Sequence, residues 1–132
     1  MKAAARAAWD TKAEDIAVID VTGRVSYADH LILCSGQHVR HTGAIADKIA
    51  QSLREQFGVR PMGVEGKEVG RWVLLDFGDF LIHVFDRSSR SHYDLDGLWA
   101  DAPRLSHADL GIESAGGGST ITYAPQPFST AG

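Results

Sequence analysis

Apolar residues in this chain follow two rhythms. Between positions 37 and 57 they return every fourth residue, at Ile45, Ile49, Leu53 and Phe57 with Ala46 and Ala50 beside them. That spacing lines one face of an α-helix. Asp47, Lys48, Gln51, Arg54 and Glu55 fall on the other face, which predicts a solvated surface. Ser35 or Gly36 stands where an N-cap belongs, and Gly58 where left-handed backbone would stop the helix.

Elsewhere the apolar residues run together. Residues 15–21, closed by Thr22-Gly23, and residues 30–34, stopped by Ser35-Gly36, are rich in β-branched and aliphatic side chains without clean alternation. Such runs suit strands covered on both faces. The strongest strand signals are 72–76 and 80–85, and Phe77-Gly78-Asp79 between them predicts a hairpin. The stretch 59–66 holds Pro61 and Gly63 and can supply only a short or edge strand. An alanine-rich helix over 1–11, anchored by Trp9, comes first. A short helix carrying Tyr93, Leu95, Leu98 and Trp99 comes last and ends at Pro103.

This order predicts an α/β (α+β) domain, a mixed β-sheet of about five strands flanked by helices. After Leu105 the composition changes: Gly116-Gly117-Gly118-Ser119 and residues 125–132 have little to bury. The domain is therefore expected to span 1–105, with 106–132 a flexible tail.

Charge and cysteine content narrow the partners. A net charge of −4 weighs against a protein held mainly by nucleic-acid phosphates, so a protein partner with little direct RNA contact is expected. Cys34 is the sole cysteine and lies in an apolar run, which excludes an intramolecular disulfide and fits a reducing cytosol. No segment approaches the ~20 apolar residues that cross a bilayer, so a cytoplasmic protein without membrane contact is expected.

The apparent catalytic motifs reduce to simpler chemistry. Asp76-Phe77-Gly78 matches a kinase tripeptide, but the other kinase elements are missing and turn chemistry accounts for it. Cys34, His38 and His41 have zinc-like spacing without a fourth ligand, and one core thiol with two surface imidazoles is the better reading. Asp94-Leu95-Asp96-Gly97 lacks the further oxygen ligands of a calcium loop and is better read as helix capping. Ser35-Gly36-Gln37 with Arg40 could cradle an anion, although ordinary capping explains them. Asp20 and Asp29 flank strands and could form a carboxylate pair for magnesium and nucleotide, or serve in turns. There is no Gly-x-Ser-x-Gly elbow. No catalytic residue, metal or cofactor is expected. What remains is a set of large side chains near strand and helix ends: Trp72, Leu74, Tyr93, Leu98 and Trp99. Trp and Tyr dominate interface hot spots, and large apolar side chains also fill cores.

Gly63-Val64-Glu65-Gly66, followed by Gly70-Arg71-Trp72-Val73-Leu74-Leu75-Asp76-Phe77-Gly78-Asp79, resembles the central signature of the ribosome-silencing factor (RsfS/Iojap) family. His83-Val84-Phe85 and Tyr93-Asp94-Leu95-Asp96-Gly97-Leu98-Trp99 follow in register, the latter similar to the family's Tyr-x-Leu-x-x-Leu-Trp element. Upstream, Lys12-Ala13-Glu14-Asp15-Ile16, Asp29, Ser35-Gly36 and Arg40 also match, so the similarity spans roughly residues 13–102. His38 and His41 depart from the pattern, in which Ser and Gln are more usual, and the stretch after Leu105 is unusually long.

The resemblance implies a nucleotidyltransferase-like core without catalytic residues. It implies a non-enzymatic translation repressor that binds the large ribosomal subunit through its protein uL14 on the intersubunit face and sterically blocks subunit joining under nutrient limitation. Carried over by motif, the partner-binding residues are Trp72, Tyr93 and Asp94, with Leu74 and Leu98 beside them. Two other classes compete: a nucleotidyltransferase using Asp20 and Asp29, and a module whose apolar face forms a homodimer when free.

Overall fold

In the computed structural model, which describes residues 1–112, the chain opens with helix α1 (Lys2–Asp10) and strands β1 (Glu14–Asp20) and β2 (His30–Gly36). Helix α2 (Val39–Phe57), strand β3 (Gly63–Glu65) and the hairpin strands β4 (Trp72–Asp76) and β5 (Phe80–Asp86) follow. The short helices α3 (Arg87–Tyr93) and α4 (Leu95–Leu98), strand β6 (Arg104–Leu105) and helix α5 (His107–Leu110) complete the described residues.

The strands form one mixed sheet in the order β3-β4-β5-β2-β1-β6. Its central pair, β2 and β5, is parallel, and every other pairing is antiparallel. Strand geometry sends alternate side chains to opposite faces, and both faces are covered as the unbroken apolar runs predict. Ile16, Val18, Ile32, Cys34, Val73, Leu75, Ile82 and Val84 form a core with Ile45, Ile49 and Leu53 of α2. Ala4, Ala5, Ala7 and Ala8 of α1 join them, small side chains that let α1 lie close against α2. On the opposite face Ile19, Val21, Leu31, Leu33 and Phe85 pack with Ala102, closed over by Trp72, Leu95 and Trp99.

The ends of α2 show how local chemistry sets its limits. Gly58 is left-handed at φ 68°, and its N–H donates to the Arg54 carbonyl at 2.9 Å, as the sequence predicts. The start differs from expectation. Strand β2 runs through Gly36, so neither Ser35 nor Gly36 caps α2; the His38 ring does, its Nδ1 accepting the His41 N–H at 3.2 Å.

Three elements go beyond the sequence reading. Strand β6, two residues long, pairs with β1 and makes six strands where about five were expected. Helix α3 is polar along its length, so it offers no apolar periodicity; its signal is Asp86, whose carboxylate accepts the Ser89 N–H at 2.8 Å as an N-cap. The domain also does not stop at Leu105. Ser106 caps α5 by accepting the Asp109 N–H at 3.0 Å, and Leu110 and Ile112 are buried in the main core. Two aliphatic side chains sufficed to hold residues that a composition shift assigned to a tail. Residues 113–132 of that expected tail lie outside the described residues.

Candidate functional site

The antiparallel register of β4 and β5 sets Trp72 opposite Phe85 and Leu74 opposite His83. Cross-strand partners share a face, so these four side chains lie on the side of the sheet away from α1 and α2. The approach to β4 is shaped by two glycines with positive φ. A side chain at Gly66 would overlap the Trp72 carbonyl oxygen, and one at Gly70 (φ +82°) would press on the Val39 backbone at 2.9 Å.

On this face the rings assemble around Trp72. Its indole lies 5.0 Å from the Phe85 ring and 4.4 Å from the Tyr93 ring, centroid to centroid, within the range of favourable aromatic pairs. The indole N–H donates to His83 Nδ1 at 3.0 Å. His83 is buried, its ring nearly parallel to Phe85, and burial together with the nearby charge of Arg90 pushes its pKa down to about 4. Trp72 and Leu74 are half-buried, and Tyr93 remains 49% exposed. The cluster is a surface of rings with a buried polar backing.

The chain turns sharply after Tyr93. Asp94 adopts φ 48°, ending α3 and capping α4, and its Oδ1 accepts the Gly97 N–H at 3.0 Å. A Cβ at Gly97 would displace the Asp94 carboxylate from its capping position. Arg90 and Asp96 pair behind the turn, and Arg90 also donates to the Ser35 hydroxyl at 3.1 Å. That ties the helical segment to β2. Leu98 projects from α4 with 65% exposure. The structure therefore brings Trp72, Leu74 and Tyr93 onto one surface, sets Asp94 next to Tyr93 in a capping position, and leaves Leu98 exposed on the next helix. Sequence reasoning missed His83 and Arg90; a lone histidine inside an otherwise apolar strand was the available signal for the first.

The other constellations resolve by geometry. In the hairpin, Gly78 (φ +88°) donates its N–H to Asp76 Oδ1 at 2.8 Å, so the kinase-like tripeptide is turn chemistry. Burial pushes the Cys34 thiol up to about 12. His41 uses both ring nitrogens, accepting the Gln37 N–H at 3.0 Å and donating to the Thr11 carbonyl at 2.7 Å. Cys34 is thus kept as a buried thiol rather than a thiolate, both His41 nitrogens are already engaged, and among the described residues no group of three or more His, Cys, Asp or Glu could hold a metal. Asp20 accepts the Thr22 N–H at 2.9 Å, and this bond holds its carboxyl below the usual range. Asp20 pairs with His30, while the next residue, Val21, donates to the Asp29 carbonyl. Asp20 thus closes the β1–β2 ladder, and Asp29 lies just outside it in the connection before β2. No described helix is long and apolar enough to cross a membrane.

Comparison with known proteins places this geometry. The family described as "Ribosomal silencing factor during starvation" matches residues 1–125. The chain is 40% identical over 112 residues to the ribosomal silencing factor RsfS of Bacillus subtilis (strain 168), covering 85% of this chain and 93% of that protein. It is 32% identical to "Mitochondrial assembly of ribosomal large subunit protein 1" of Mus musculus, over 66% of this chain and 39% of that one. A crystal structure of a protein from Chromobacterium violaceum is similar with a TM-score of 0.72 at 35% identity, covering 80% of this chain and 86% of that one.

Proposed function

The chain belongs to the ribosomal silencing factor family, and from that premise we propose that it binds the large ribosomal subunit through the Trp72–Tyr93 face and blocks joining of the small subunit. The observation that carries this reading is the close, tilted contact of Tyr93 with Trp72, 4.4 Å between ring centroids at 48°, with Tyr93 half exposed. A tyrosine held on an indole keeps few conformations to lose on binding, so it offers amphipathic area at low entropic cost.

The partner on the subunit is uL14. The net charge of −4 suits a cationic ribosomal protein and disfavours RNA phosphates. Asp94, exposed beside Tyr93, adds a carboxylate with one oxygen committed to the turn and one open to a cation. The name of the murine relative, which refers to the large ribosomal subunit, supports the choice of subunit. The mechanism is occupation of space, so no reaction is required of the protein. It acts in the cytoplasm and lowers translation when nutrients are scarce.

Sedimentation of the purified protein with isolated large subunits tests this reading. Tyr93→Ala is expected to weaken binding by about 2 kcal/mol, roughly thirtyfold. Undiminished co-sedimentation of that variant, or assembly of whole ribosomes unaffected by excess wild-type protein, would overturn it.

A further inference from the structure

The aromatic face has a polar element that faces inward. The polar tip of Trp72, its indole N–H, is turned toward a histidine that is only 7% exposed. The edge of the ring that could hydrogen-bond to a partner is therefore committed to the protein, and what the half-buried ring leaves for Tyr93 and for solvent is carbon. We propose that His83 is a positioning residue of the docking face: by accepting the Trp72 N–H it fixes the tilt of the indole and selects a partner that meets Trp72 with an apolar side chain. This rests on the docking reading given above.

Three observations converge on it. Trp72 opens β4 beyond the three residues that β3 pairs with, and it is only half-buried, so packing alone surrounds the indole incompletely. A directional hydrogen bond supplies the missing restraint. His83 is itself enclosed, between Leu74 of β4 and Leu33 of β2 in the ladder and nearly parallel to Phe85 at 6.0 Å. Tyr93, in turn, contacts both Trp72 and Phe85, so its position depends on where the indole sits.

The bond also fixes the protonation state. A nitrogen that accepts has a free lone pair, so the proton of the neutral ring is on Nε2. An imidazolium has no acceptor and would release the indole. Arg90 of α3 is the charged group that faces His83, itself paired with Asp96 of α4; burial first and the Arg90 charge second disfavour the imidazolium. Tyr93 of α3 is a further titratable group on this face.

The Trp72 indole ¹⁵N–¹H resonance, identified by its loss in Trp72→Phe, reads the proposed contact without any ribosome. In the wild type it is expected to hold its position from pH 8 to pH 5 and to move only as the pH falls toward about 4. His83→Leu is expected to shift it at neutral pH and to weaken large-subunit binding about tenfold. His83→Gln, whose amide carbonyl can accept the same N–H, is expected to recover most of both, which a loss of folding would not allow. An unmoved indole resonance in His83→Leu overturns the proposal, as does full large-subunit binding by that variant while Tyr93→Ala loses it. If Tyr93→Ala and His83→Leu both bind fully while the resonance shifts, it is the docking reading that fails, and with it the selection of a partner.

Discussion

Arg90 and Asp96 meet across the bend between α3 and α4 as a bidentate pair, Nε to Oδ2 at 2.7 Å and Nη2 to Oδ1 at 3.0 Å. Burial alone would raise the Asp96 carboxyl. The hydrogen bonds and charge of Arg90, with Arg104 beside it, outweigh that and hold the group below the ordinary aspartate range. The pair locks the turn that presents Tyr93 and Leu98. Asp96→Ala is expected to destabilise the fold by about 2–3 kcal/mol, somewhat less than a fully buried pair because Asp96 is partly exposed. The sign with pH follows from the lowered carboxyl: the contribution is complete above an unfolded value of ~3.9 and is lost as pH falls through the lower folded value. Urea unfolding at pH 7 and pH 3 checks both, and the variant should differ from wild type less at the acid end.

Leu98 separates docking from folding. With 65% of its surface exposed, Leu98→Ser is expected to leave stability unchanged within ~0.5 kcal/mol. Large-subunit binding by the same variant should fall about fivefold, since an exposed leucine gains most when a partner covers it. A thermal melt and a co-sedimentation titration on one preparation read the two quantities.

Gly70 is a point where backbone meets backbone. Gly70→Ala combines positive φ with a Cβ at 2.9 Å from the Val39 carbonyl oxygen and 3.0 Å from the Val39 Cβ. The conformational penalty is about 1–2 kcal/mol and the collision adds to it. The expected result is a loss of at least about 2 kcal/mol in denaturant unfolding. Gly43, where an added Cβ meets nothing within 4 Å, is a control for the space around the added methyl.

The end of the described chain carries part of the core. A chain ended after Ile112 is expected to be about 3–5 kcal/mol more stable than one ended after Leu105. The shorter chain loses buried Leu110 and Ile112 and the hydrogen bond from the His107 ring to the Ile16 carbonyl at 2.8 Å. Equal unfolding midpoints for the two would contradict the burial.

These outcomes also show where sequence reading succeeds. The fourfold spacing of Ile45, Ile49 and Leu53, and the runs around Val18, Ile32 and Val84, mark elements because burial itself imposes the pattern. The motif pointed to Trp72 and Tyr93, and the structure sets their rings side by side. Strand β6 was not, since two residues hold no period, and α3 was not, since its seven residues bury only Ser89. Leu110 and Ile112 disappeared into a stretch judged by its average composition. His83 offered only the signal of a lone histidine in an apolar strand, and which residue it faces depends on the hairpin register. Arg90 was beyond reach because its partner Ser35 is distant in the chain and only the return of α3 brings it near.

The parallel pairing at the centre of the sheet has a consequence in time. His30 must wait for Phe80, and Gly36 for Asp86, because β2 finds its partner only after α2, β3 and β4 have been made. Closing so long a loop costs entropy before any contact repays it, so this step is expected to be the slow one in folding. Every residue of the docking face is in β4 or later. A growing chain therefore carries no finished aromatic face until β4, β5 and α3 have all been made.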